Sequence, residues 1–88
     1  MKPLNYAILK HMTTVGEVNT DEVMNALKGQ YGSWKAFNKQ DVLTALMTAE
    51  VNGLIEETRY DLDENGEIRM YFRAHPEGAA TINKYIRD

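Results

Sequence analysis

Apolar residues recur at helical spacing in four stretches of the chain and at alternate positions in one, which predicts helices around a single hairpin. From Pro3 to about Met12, Leu4, Ile8, Leu9 and Met12 share a face, with Asn5 and Lys10 outward. Pro3 suits a first helical position, where its missing N–H would have no partner anyway. Val15 to Val18, interrupted by Gly16, predicts a brief strand. Asn19 or Thr20 starts a second helix, and Asn19 with Glu22 three residues later has the spacing of a capping box. Its inner stripe is Val23, Met24 and Leu27, with Ala26 beside it and Gly29 and Gly32 as stops. The link that follows carries Tyr31, Trp34 and Phe37. Asn38 then caps a central helix, with Phe37 and Val42 placed as a hydrophobic staple. Val42, Ala45, Leu46 and Ala49 form its inner face, widened by Leu43 and Met47, while Gln40, Asp41, Thr44 and Thr48 face out. Gly53 after Asn52 is the expected left-handed stop. A last helix is expected from Pro76 to about Ile86, with Ile82, Tyr85 and Ile86 on one side.

Between Thr58 and Arg73 the period changes to two, and the side chains fix the register. A two-residue Asn65-Gly66 turn would pair Asp63 with Ile68 and Asp61 with Met70, mixing charged and apolar groups on each face. A three-residue loop, Glu64-Asn65-Gly66, instead pairs Leu62 with Ile68, Tyr60 with Met70 and Thr58 with Phe72. Those pairs are expected to be buried, with Asp61–Arg69 and Arg59–Tyr71 on the solvated face. A lone hairpin is marginal in water, so its apolar side is expected to lie across the helices. The fold class is therefore α+β, one domain over residues 1–88.

Composition narrows the function. The chain has no cysteine, which excludes a disulfide framework, a thiolate metal site and a cysteine nucleophile. No long apolar run follows Met1, so neither a signal peptide nor a membrane partner is expected, and a cytoplasmic location is. His11 and His75 lack companions at ligand spacing, and Ser33, the sole serine, lacks the glycines of a nucleophile elbow. No enzyme, metal or cofactor is expected. Asp61, Asp63, Asn65 and Gly66 do follow the opening of a calcium loop, but Phe72 stands where its bidentate Glu belongs. Asp, Asn and Gly are here for turn chemistry. The net charge of −3 counts against nucleic acid, because phosphate neutralisation normally supplies most of the affinity for DNA.

The stretch 46–56 (LMTAEVNGLIE) resembles the end of the recognition helix of PadR- and MarR-type regulators as it runs into the wing of a winged helix. The stretch 69–78 (RMYFRAHPEG) is similar to the returning wing strand and the entry to the next helix. The resemblance implies a small winged helix: a three-helix core, a hairpin wing and a C-terminal helix. It further implies a transcriptional regulator that binds double-stranded DNA as a homodimer. Carried onto this chain, the DNA-facing residues would be Lys35, Lys39, Gln40 and Thr44 at the helix, with Arg59 and Arg69 on the wing. Gln40 has the amide that pairs bidentately with adenine. Against this, Asp61, Asp63, Glu64 and Glu67 surround the wing tip, where they would repel phosphate within a Debye length of about 8–10 Å. The alternative is a winged helix that docks on protein without binding DNA. Trp34 and Tyr85 are its candidate interface residues, because Trp and Tyr are enriched at interface hot spots.

Overall fold

The computed structural model describes residues 1–87. In chain order the elements are α1 (Leu4–Met12), β1 (Val18–Asn19), α2 (Thr20–Tyr31), α3 (Lys39–Val51), β2 (Glu56–Leu62), β3 (Ile68–Arg73) and α4 (Pro76–Tyr85). Among the described residues the fold is thus α+β, four helices with a three-stranded antiparallel sheet in the order β1-β3-β2. Asp88, the last residue of the expected domain, lies outside the described residues.

The core forms where the helical stripes converge on the near end of the sheet. Ile8 and Met12 of α1, Val23 of α2, Val42 and Leu46 of α3, Ile55 and Phe72 are almost wholly buried together. Each such side chain contributes roughly 1.5–3 kcal/mol of transfer free energy. Local chemistry sets the helix ends. The capping box closes reciprocally: Asn19 Oδ1 accepts from Glu22 N–H, and the Glu22 carboxylate accepts from Asn19 N–H, both at 2.9 Å. Asn38 caps α3 by accepting from Asp41 N–H, and Phe37 packs half-buried against the core, as the staple requires. Gly53 stops α3 with φ +76°.

Some boundaries differ from expectation. Pro3 is the N-cap of α1, so the helix begins at Leu4, one residue later than expected, and β1 sits at Val18–Asn19, later than Val15. The second helix passes through Gly29 and stops only at Gly32, because Tyr31 is pulled into the core. There the Tyr31 hydroxyl donates to the Lys2 carbonyl at 2.7 Å. Met47 does not widen the inner face of α3; it lies on the solvent side. Tyr85 likewise turns outward, leaving Ile82 and Ile86 to hold α4.

The ammonium of Lys10 fastens the far end of α4 to α1, donating to Asn83 Oδ1 at 2.7 Å and to the Ile86 carbonyl at 2.9 Å. His75 fastens the near end. Its Nδ1 accepts from Gly78 N–H, so the proton on Nε2 is donated to the Gly53 carbonyl, both at 3.0 Å. One neutral imidazole therefore caps α4 and ties it to the turn between α3 and β2. The sequence pattern did not flag His75 as a cap.

The hairpin is where expectation and structure diverge most. The three-residue loop is present: Gly66 has φ +79°, Asp63 and Glu67 close the loop, and Leu62 faces Ile68. Tyr60–Met70, Asp61–Arg69 and Arg59–Tyr71 also pair as expected. Thr58, however, does not face Phe72. Glu57 does, and Thr58 is the extra residue of a bulge, its hydroxyl donating to the Glu17 carboxylate at 2.6 Å. The expected burial fails over the distal half. Phe72 is fully buried and Met70 half-buried, but Tyr60 (66%), Leu62 (61%) and Ile68 (66%) face water. On that side of the hairpin only Phe72 and Met70 pack on the core.

Candidate interaction face

The hairpin approaches α3 at two places. At one, Glu57 N–H donates to the Glu50 carboxylate of α3 at 2.9 Å. At the other, Ile68, Arg69 and Met70 border a cleft of about 30 Å³ with Thr20 and Asp21 of α2 and Lys39 and Leu43 of α3. That cleft is too tight for a ligand, and it lies where β3 meets the starts of the two helices. Met70 and Phe72, on the same side of the hairpin as Tyr60, Leu62 and Ile68, are the residues of that side that pack on the helical core.

On α3 the outward strip is Gln40, Thr44, Met47, Thr48 and Val51, and these five line one shallow surface depression. The spacing follows from the helical period, with Met47 and Val51 one turn apart on the same side. Val51 is 85% exposed and Met47 44%. Among the described residues nine large apolar side chains are exposed, and five of them (Met47, Val51, Tyr60, Leu62 and Ile68) belong to α3 and the hairpin. Met47 and Val51 adjoin on α3, and Leu62 faces Ile68 across the hairpin; exposed apolar patches of this kind mark interaction sites.

The other side of the hairpin is a ladder of charge. Arg69 clasps Asp61 with two bonds of 2.8 and 3.0 Å, and the Tyr71 hydroxyl donates to the same carboxylate at 3.1 Å. The Arg59 guanidinium stacks 3.7 Å above the Tyr71 ring centre and donates to Glu17 at 2.9 Å. These groups bury Tyr71, which the alternation assigned to the solvated face. The bonds with Arg69 hold the Asp61 carboxyl below the usual carboxylate range, with help from Tyr71. Glu17 is lowered mainly by the Thr58 hydroxyl and then by Arg59. Asp63 is lowered by the backbone N–H of Glu67 and then of Asn65, which its side chain accepts at 2.9 and 2.8 Å. The carboxylates that suggested a calcium loop are thus engaged in holding the hairpin together.

The sequence-predicted residues distribute as follows. Gln40 and Thr44 lie on the outward strip of α3. Lys39 is exposed at its start and pairs with Asp21 at 3.3 Å. Lys35 is exposed in the α2–α3 link. Arg59 and Arg69 lie together on the charged side of the hairpin, each held by a carboxylate. Trp34, 39% exposed, packs edge-on against Tyr31 with ring centres 4.7 Å apart. Tyr85, 74% exposed on α4, carries the Lys84 ammonium 5.4 Å over its ring. Lys39, Gln40 and Thr44 thus share α3, whereas the two arginines lie in the charged ladder of the hairpin and Lys35 stands in the link before α3. Sequence reasoning missed Met47, Val51, Tyr60, Leu62 and Ile68 as surface groups, because periodicity assigned all but Val51 to the core.

Charge is unevenly shared. Residues 56–73 carry six acidic and three basic side chains, whereas the rest of the chain has seven of each, so the whole net charge resides in the hairpin. All three hairpin arginines are paired, Arg73 with Glu56 at 3.6 Å, while Glu64 and Glu67 at the tip have no ion pair among the described residues. No helix among the described residues is long and apolar enough to cross a membrane. No protein-family model and no curated protein matches the chain, so the chemistry of this face rests on its own residues.

Proposed function

We propose that the chain is a winged-helix domain, with α3 in the place of the recognition helix and β2–β3 as the wing, and that this face docks on a protein. The element order, and a hairpin lying beside the third helix, support the winged-helix assignment. One observation carries the docking assignment. Lys39, Arg59 and Arg69 are each paired with a carboxylate, while five large apolar side chains of α3 and the hairpin stand in water.

The balance can be weighed. Breaking an exposed ion pair costs only about 0–1 kcal/mol, so Arg59 or Arg69 could change partner cheaply. The freed carboxylates would then sit within a Debye length of phosphate, and Glu64 and Glu67 would join them at the tip. A phosphate surface gains little here. An apolar partner surface gains about 25 cal/mol for each Å² it covers.

The DNA-regulator reading uses the same face and draws on Gln40 and Thr44, both outward on α3. Titration of random-sequence duplex DNA at low and then moderate salt separates the two. The docking reading expects no binding at low salt. Tight binding that weakens steeply with added salt, the signature of released counterions, would replace it with the DNA reading.

A further inference from the structure

The α3–hairpin face has two properties that together define what can cover it. It is apolar through Met47, Val51, Tyr60, Leu62 and Ile68, and the hairpin tip beside Leu62 and Ile68 is acidic, through Asp63, Glu64 and Glu67. Building on the docking reading above, we infer that the occupant is a cationic segment of another protein, with bulky apolar side chains on one side and lysine or arginine flanking them.

Three occupants are conceivable, and charge separates them. A second copy joined face to face would bring two hairpins of net negative charge together and bury Glu64 and Glu67 against their own kind. Like charges so placed cost free energy and are a recognised way of excluding a partner. Nucleic acid presents the same sign of charge as the tip. A segment with apolar anchors and flanking cations satisfies both properties: its anchors cover the exposed side chains, and its cations meet tip carboxylates that have no ion pair among the described residues.

The surroundings favour attraction over rearrangement. Arg59 is held on the opposite side of the hairpin by Glu17 and the Tyr71 ring, and Arg69, which borders the cleft, has its charge engaged by Asp61 through two hydrogen bonds. Lys39, the one lysine bordering the cleft, is paired with Asp21 on α2. The hairpin is also held in shape by the bonds of Asp63 to the backbone of its loop. A partner therefore meets a surface already formed, which limits the entropy lost on docking.

The test uses the whole chain, isotope-labelled for NMR, and three synthetic amphipathic peptides of equal length. One combines leucine with lysine, one leucine with glutamate, and one serine with lysine. The leucine–lysine peptide is expected to shift the amides of residues 60–70 and of the outward strip of α3. It should bind at least tenfold more tightly than either of the others. Changing Leu62→Ser together with Ile68→Ser removes apolar area without altering charge, and should weaken that peptide about tenfold. Circular dichroism would verify that this variant keeps its fold. Preference for the leucine–glutamate peptide overturns the cationic assignment while leaving protein docking intact. Equal binding by the serine–lysine peptide, or affinity unchanged in the double variant, overturns the apolar anchor. Absence of shifts with all three peptides overturns the inference, and duplex DNA binding in the previous experiment overturns the reading beneath it.

Discussion

The same substitution, glycine to alanine, should have opposite effects in two helices of this protein, and the difference tests how α4 is seated. Gly78 lies in the first turn of α4, and a β-carbon added there would come within 1.9 Å of the Leu54 carbonyl oxygen and 2.7 Å of its carbon. Those are backbone atoms of the turn leading from α3 to β2, so relief requires α4 to move away. Such overpacking costs about 1–3 kcal/mol. Moving α4 also pulls Gly78 N–H from His75 Nδ1, a lost cap of about 1 kcal/mol. Against this stands the gain of alanine over glycine in a helix, about 0.5–1 kcal/mol. The clash wins, and Gly78→Ala should lose about 1–3 kcal/mol net. Gly29 lies within α2 with nothing near its β-position, so Gly29→Ala keeps only the gain. For a domain of this size 1 kcal/mol moves Tm by about 4–8 °C. Thermal unfolding followed by circular dichroism should therefore show Gly29→Ala melting a few degrees higher than the parent and Gly78→Ala well below it. Shifts of the same sign, or an unchanged Gly78→Ala, would refute the close seating of α4 on the Leu54 carbonyl.

Three further outcomes follow from the same geometry. Phe72→Ala should cost about 3–5 kcal/mol in denaturant unfolding, whereas Ile68→Ala, one strand turn outward and exposed, should stay within about 0.5 kcal/mol; comparable losses would mean that the distal hairpin packs on the helices after all. Glu17, Asp61 and Asp63 are all held below the usual carboxylate range in the folded state, so the unfolded chain binds protons first on acidification. Their support is complete above that range and lost as pH falls through about 4 and below, so hairpin amides should exchange faster in acid, and equal protection at neutral and acid pH would contradict the ladder. His75→Ala should cost about 1 kcal/mol or more by removing the cap of α4, with His75→Asn restoring part of it; an alanine variant as stable as the parent would deny the imidazole its two bonds.

How much of this was legible in the sequence depends on whether a signal was local. The capping box at Asn19 and Glu22, the cap at Asn38, the stop at Gly53 and the loop ending at Gly66 each involve residues within a turn of one another, and each was found. The hairpin pairing was found too, as far as its side chains alternate. The bulge at Thr58 was not, because it depends on Glu17, distant in sequence and brought near only by β1. Periodicity identifies an apolar side of an element but says nothing of how far the neighbouring elements reach. Tyr60, Leu62 and Ile68 share a side with the buried Phe72 in the expected alternation, yet all three stand exposed. The same blindness placed Met47 and Tyr85 inward. Lys39, Gln40, Thr44, Arg59 and Arg69 were singled out through the resemblance; Gln40 and Thr44 share the outward strip of α3, and the arginines lie in the charged ladder of the hairpin. Their pairing with Asp21, Glu17 and Asp61 crosses elements and was visible beforehand only for Arg69, through the register.

The central claim concerns the sign of charge that this face presents to an approaching molecule. Paramagnetic cosolutes, one cationic and one anionic but otherwise alike, read that sign amide by amide through NMR relaxation. The account predicts stronger relaxation by the cationic probe over residues 59–69 and along the outward strip of α3, despite Lys39, Arg59 and Arg69 in their midst. Stronger relaxation by the anionic probe over those amides would mean that the cations prevail, and would return the face to phosphate.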